Sequence, residues 1–97
     1  MAKRMNDNWE IVFTVDLPTR MGERTCEIVI GDRHTEFEPY VAWHCFGGSD
    51  YAWGHYCDTI EEATECALKK VAQELGCDDE YAKVYWRKFA EDLRGDE

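Results

Sequence analysis

Basic side chains are scarce in this 97-residue chain: eleven Lys and Arg stand against 21 Asp and Glu. The formal charge of -10 sets up a surface field that repels phosphates, which argues against direct binding of nucleic acid. No apolar run approaches the roughly 18 residues needed to span a membrane. Met1 to Asn8 carries Lys3 and Arg4 but no apolar segment, so it does not read as a signal peptide. A cytoplasmic protein without membrane contact is the expectation. Paired cysteines at C-x-x-C spacing are missing too. Cys26, Cys45, Cys57, Cys66 and Cys77 are odd in number and irregularly placed. That argues against a disulfide scaffold and against the short zinc-finger patterns, and it favours reduced, mostly buried thiols. No resident metal or cofactor is expected.

What is present suits one small domain spanning 1–97, with 1–8 and 95–97 expected to fray. Hydrophobic residues make up 44% of the chain, which is ordinary for a packed core and too many for disorder. Trp9 to Val15 alternates, placing Trp9, Ile11, Phe13 and Val15 on one face of a first strand. Asp16 to Glu23 holds Pro18 and Gly22 and reads as a loop. A second strand, Arg24 to Ile30, turns Cys26, Ile28 and Ile30 inward and Glu27 outward. Pro39 then fixes the start of a third.

Tyr40 to Cys57, YVAWHCFGGSDYAWGHYC, holds six of the thirteen aromatics and two of the three histidines. Gly47-Gly48-Ser49-Asp50 between two aromatic runs is a hairpin signal. Pairing Phe46 with Tyr51 sets Cys45 opposite Ala52, Trp43 opposite Gly54 and Val41 opposite Tyr56. A ring over a cross-strand glycine favours that register. The other face then carries Tyr40, Ala42, His44, Phe46, Tyr51, Trp53, His55 and Cys57. A slip of one residue would exchange the two sets.

Helical spacing follows. Thr59 and Glu62 form a capping box, Ile60, Ala63, Ala67, Val71 and Leu75 make an apolar stripe, and Gly76 ends the helix. Asp78 caps a second helix expected to run to about Arg94, with Ala82, Tyr85, Trp86, Phe89 and Leu93 as its stripe. The expected architecture is α+β: an antiparallel meander of three to four strands packed by one or two C-terminal helices, in the order β-β-β-β-α-α.

Chemistry is less legible. His44, His55 and Cys57, with His34 or Asp50, could in principle hold a metal, but the spacing matches no short ligand pattern, and packing explains the same residues. Cys57 precedes a helix start, where a thiol can become reactive. Its neighbours Asp58, Glu61 and Glu62 are acidic and oppose the thiolate. The Gly-rich turn lacks the Lys and the following helix of a phosphate loop. Aromatic sheets that stack on single-stranded nucleic acid are framed by basic residues, and these strands are flanked by Glu36, Glu38, Asp50 and Asp58.

Tyr40-Val-Ala-Trp43, Tyr51-Ala-Trp-Gly-His-Tyr56 and the Glu-Glu-Ala helix start resemble segments of small uncharacterised proteins carried by bacterial mobile elements, over about the central third of the chain. In size and acidity the chain also resembles phage inhibitors of host defence nucleases, of the anti-CRISPR type. That resemblance implies an inhibitor and carries over no functional residue. From the residues themselves, the expected function is a non-enzymatic module that binds another protein with a basic surface. Tyr40, His44, Tyr51, Trp53 and His55 are the expected contacts, steered by Asp50, Glu61 and Glu65. A homodimer through the same aromatic face and a small enzyme or metal protein built on His44, His55 and Cys57 are the alternatives.

Overall fold

The computed structural model describes residues 3–94, apart from the side chains of Thr19 and Met21. Its elements are β1 (Met5–Asn6), β2 (Trp9–Met21), β3 (Arg24–Asp32), β4 (Tyr40–Phe46), β5 (Asp50–Cys57), α1 (Ile60–Leu75), α2 (Asp79–Phe89) and β6 (Glu91–Asp92). The class is α+β. β1 to β5 form an antiparallel meander in chain order, while β6 pairs β2. The four long strands and two helices keep the expected order. The two-residue strands β1 and β6 raise the count above the expected three to four.

Several boundaries differ from the sequence expectation for identifiable reasons. Residues 3–8, expected to fray, include β1, which pairs Met5 with Glu10 and Asn6 with Trp9. Residues 95–97 lie outside the described residues. The expected loop from Asp16 is instead strand as far as Met21, because a register shift between Leu17 and Arg20 accommodates Pro18. Gly22, at φ +66°, then opens the two-residue turn into β3. A second irregularity, between Ile11 and Phe13, splits the predicted face of β2. Trp9 and Ile11 pack on one side of the sheet, and Val12 and Val15 on the other.

The helices cover the side that carries Val12, Val15, Cys26, Ile28, Ile30 and Ala42. Ala63, Ala67 and Val71 of α1 and Ala82 of α2 are fully buried there, so small side chains bring the helices close to the sheet. Thr59 accepts a hydrogen bond from the Glu62 amide, and Gly76 closes α1 at φ +66°. Asp78 caps α2 through the Tyr81 amide, but α2 ends at Phe89 rather than near Arg94. Ala90 is extended, the chain turns back, and Leu93 donates its amide to the Val12 carbonyl. No helix among the described residues is long and apolar enough to cross a membrane.

The far side has no helix among the described residues, yet it is also a core. Trp9, Ile11, Val29, Val41, Trp43 and Cys45 are buried there. Side chains of the sheet, of the N-terminal arm and of the β3–β4 connection supply the cover, together with Leu93 after β6. Trp9 meets Trp43 edge-on at 5.5 Å, and Tyr51 lies 5.2 Å from Trp43. Arg33 sits over Trp9 at 4.8 Å and Arg4 over Tyr51 at 5.8 Å. Glu27 is therefore buried rather than outward. It accepts from the Arg4 guanidinium and, at 2.7 Å, from the Thr14 hydroxyl.

Candidate interaction surface at the hairpin edge

β4 and β5 pair as expected at the open end, where Val41 lies opposite Tyr56. Near the turn the register is one residue off the expectation, with Phe46 opposite Asp50 and Cys45 opposite Tyr51. A bulge between these halves absorbs the difference: Ala42 pairs His55, His44 pairs Ala52, and Trp53 with Gly54 faces Trp43. The ring-over-glycine contact survives, since a Cβ on Gly54 would stand 2.7 Å from Trp43 Nε1.

The bulge separates side chains that strict alternation groups together. Tyr51 turns to the far side, where its hydroxyl accepts from Arg4 Nε at 3.3 Å. Trp53 turns to the helix side, its ring 5.0 Å from His44 and 5.6 Å from Phe46. His44 itself is buried, not exposed as expected of a contact residue. Its Nε2 lies 3.2 Å from Glu74 Oε2 on α1, and its Nδ1 has no partner. Burial, reinforced by the Lys70 charge, holds this imidazole below its usual range, against the pull of Glu74.

The remaining expected contacts scatter. Tyr40 is half-buried against the helix-side core. Asp50, at the turn, bonds Arg24 at 2.7 Å. Glu61 lies exposed in the first turn of α1. Glu65 lines a shallow groove with Leu68, Lys69, Asp79 and Lys83 between the helices, away from the hairpin. His34, considered as a ligand, bonds Glu10 at 2.8 Å instead. Trp53 and His55 stay exposed, two residues apart in β5, and Tyr56, which sequence reasoning left out, is half exposed against Trp9 on the other side.

Trp53 is the most distinctive residue of this edge. The residue is 61% exposed although its side chain is the largest type available, and its backbone sits at φ +55°. Non-glycine residues rarely adopt that conformation, and it stores about 1 kcal/mol or more. The Lys70 ammonium on α1 holds the Trp53 carbonyl at 2.7 Å and pins the bulge in place. Around the indole, His44, Lys70, Gln73 and Glu74 line an open cleft of 340 Å³. Trp53→Gly is therefore expected to be more stable than Trp53→Ala by about 1 kcal/mol, the reverse of their usual order in a strand. Urea unfolding of the two variants measures the difference, and equal midpoints would mean the bulge relaxes freely.

Lys70, Gln73 and Glu74 could not be chosen from sequence, because nothing local says which flank of α1 meets β5. Comparison with protein-family models, curated proteins and solved structures yields no match.

Proposed function

We propose that this chain is a non-enzymatic protein-binding module that docks the β5 edge, anchored by Trp53, on a basic protein surface. The observation that carries the reading is a wet indole on a pinned, strained bulge of an open sheet edge. Its edge contacts with His44 and Phe46 already limit its freedom, which lowers the entropy cost of binding, and tryptophans dominate interface energies. The partner's sign follows from the charge of -10, which favours encounter with cationic surfaces. Asp50, Asp58, Glu61 and Glu62 are exposed at either end of β5 and at the start of α1, with Lys69 and Lys70 as local exceptions. A nucleic-acid groove of a bacterial defence enzyme is a surface of this kind, and occupying it would inhibit the enzyme.

The thiols support a non-enzymatic reading. Burial and the neighbouring Cys66 thiol push Cys57 up to about 12, and burial lifts Cys26 and Cys45 to about 11. Thiols held protonated are poor nucleophiles.

The test is affinity capture from a bacterial extract, with the native chain, Trp53→Ala and Phe37→Ala as baits. Phe37, also exposed, lies in the β3–β4 connection and serves as the control. Bound proteins should be cationic, elute with added salt, and be lost from Trp53→Ala alone, with affinity falling by about 2 kcal/mol. Equal capture by all three baits would refute the reading. So would a two-fold dimer by light scattering that Trp53→Ala dissolves, since the edge would then serve self-association.

A further inference from the structure

One stop further along β5, the seam with α1 gathers three soft donors. His55 and Cys57 are two residues apart in one strand and face the same way, and Cys66 comes from α1. Their ligating atoms all lie within 4.8 Å of one another. We propose that His55, Cys57 and Cys66 form a binding site for one divalent zinc ion. The proposal departs from the expectation of no metal, which rested on spacing within the chain.

The sulfur pair already fits that ion, and the exposed His55 ring, whose ligating nitrogen lies within 4.8 Å of the sulfurs, has to swing in by about 1 Å to complete the set. Two thiolates at about 2.3 Å from a tetrahedral centre stand about 3.8 Å apart. Cys57 Sγ and Cys66 Sγ are 3.8 Å apart. Two sulfurs and one imidazole nitrogen are the donor set that selects zinc over the hard cations calcium and magnesium. The two thiolates neutralise the ion, and the carboxylates of Asp58 and Glu62, close enough to act on Cys57, favour a cation there. A cavity of 180 Å³ lined by His55, Cys66, Lys69, Lys70 and Gln73 adjoins two of the three donors and has room for a water molecule as fourth ligand, although its two lysines oppose the charge of the ion. Cys57 is buried, Cys66 half-buried and His55 exposed, so an ion can enter from the solvent side.

The step balances simply. Each thiol loses its proton to solvent as its sulfur bonds the ion, neutral His55 gives a nitrogen lone pair, and no electrons are transferred. The bound ion would clip the free edge of the sheet to α1. It would sit beside the Trp53 cleft, with which its cavity shares Lys70 and Gln73.

Titration of the reduced, anaerobic protein with Co2+ tests the proposal. One equivalent should give the ligand-field bands of a tetrahedral site with thiolate charge transfer, and Zn2+ should bleach them. Zn2+ should also raise the unfolding temperature. Cys66→Ala should abolish the charge-transfer band, and His55→Gln should weaken cobalt binding by roughly tenfold or more. Both side chains reach the surface, so circular dichroism should show the fold retained. Cys77→Ala, at a cysteine outside the cluster, should bind as the native chain does. Lack of the band in the native protein, or its persistence in folded Cys66→Ala, would overturn the site. Neither result bears on capture through Trp53.

Discussion

Arg4→Ala is expected to destabilise the fold by about 3 kcal/mol at neutral pH. Its guanidinium spans the far side of the sheet, donating to Glu27, to the Tyr51 hydroxyl and to the Gly48 carbonyl. The Glu27 side chain is only 11% exposed, so truncation strands a carboxylate that water reaches poorly. Burial alone would raise the Glu27 pKa, but hydrogen bonds from Arg4 and Thr14, with the Arg4 charge, win and hold it below its ordinary 4.5. A depressed carboxylate adds stability above the unfolded-state value, and that stability is lost as pH falls through the folded-state value. Without Arg4 the burial effect is opposed only by the Thr14 and Cys45 hydrogen bonds, so the Glu27 pKa rises, and the variant's deficit should shrink as pH falls from the variant's folded-state value through the lower native one. Urea unfolding of both proteins at pH 7 and pH 4 checks this. A deficit unchanged with pH would mean Arg4 acts only by packing on Tyr51.

The N-terminal arm thus contributes to the core, and nothing local to it announces that. Arg4 and Glu27 are 23 residues apart, and their meeting depends on β1 folding back along β2. By contrast, the start and end of α1 are encoded within a few residues. Thr59 and Glu62 cap it and Gly76 stops it, and all three act as their spacing predicts. Uninterrupted alternation likewise sets Cys26, Ile28 and Ile30 on one face of β3, but the opposite face, expected outward at Glu27, is buried as well.

Where alternation is interrupted, that reasoning fails. The irregularity between Ile11 and Phe13 and the bulge at Trp53 each move neighbours to opposite faces, and a bulge is a property of two strands rather than one. The cost of missing the second bulge falls on the candidate site. Tyr51 and Trp53 look like one patch in the chain and belong to two sides of the sheet. His55, Cys57 and Cys66 show the converse, a cluster visible only when a strand and a helix flank are set side by side.

The same bulge makes Gly54→Ala a severe test of how the site is built. The added methyl would lie 2.7 Å from Trp43 Nε1, 2.9 Å from its Cδ1 and 3.2 Å from Val41 Cγ2. Trp43 has no room to retreat: it is 7% exposed, edge-on to Trp9 and packed on Tyr51. The strand must therefore shift, at an expected cost of about 2–3 kcal/mol in thermal or urea unfolding. The easiest shift moves Gly54 off the Trp43 ring and carries Trp53 with it, breaking the bond from Lys70 to the Trp53 carbonyl. Partner capture should fall in Gly54→Ala even at temperatures where the protein remains folded. Smaller rings at position 43 relieve the clash, so Trp43→Phe combined with Gly54→Ala should recover part of both losses. Full capture by the folded single variant would mean that Trp53 binds wherever the edge holds it, and that the bulge contributes nothing to recognition.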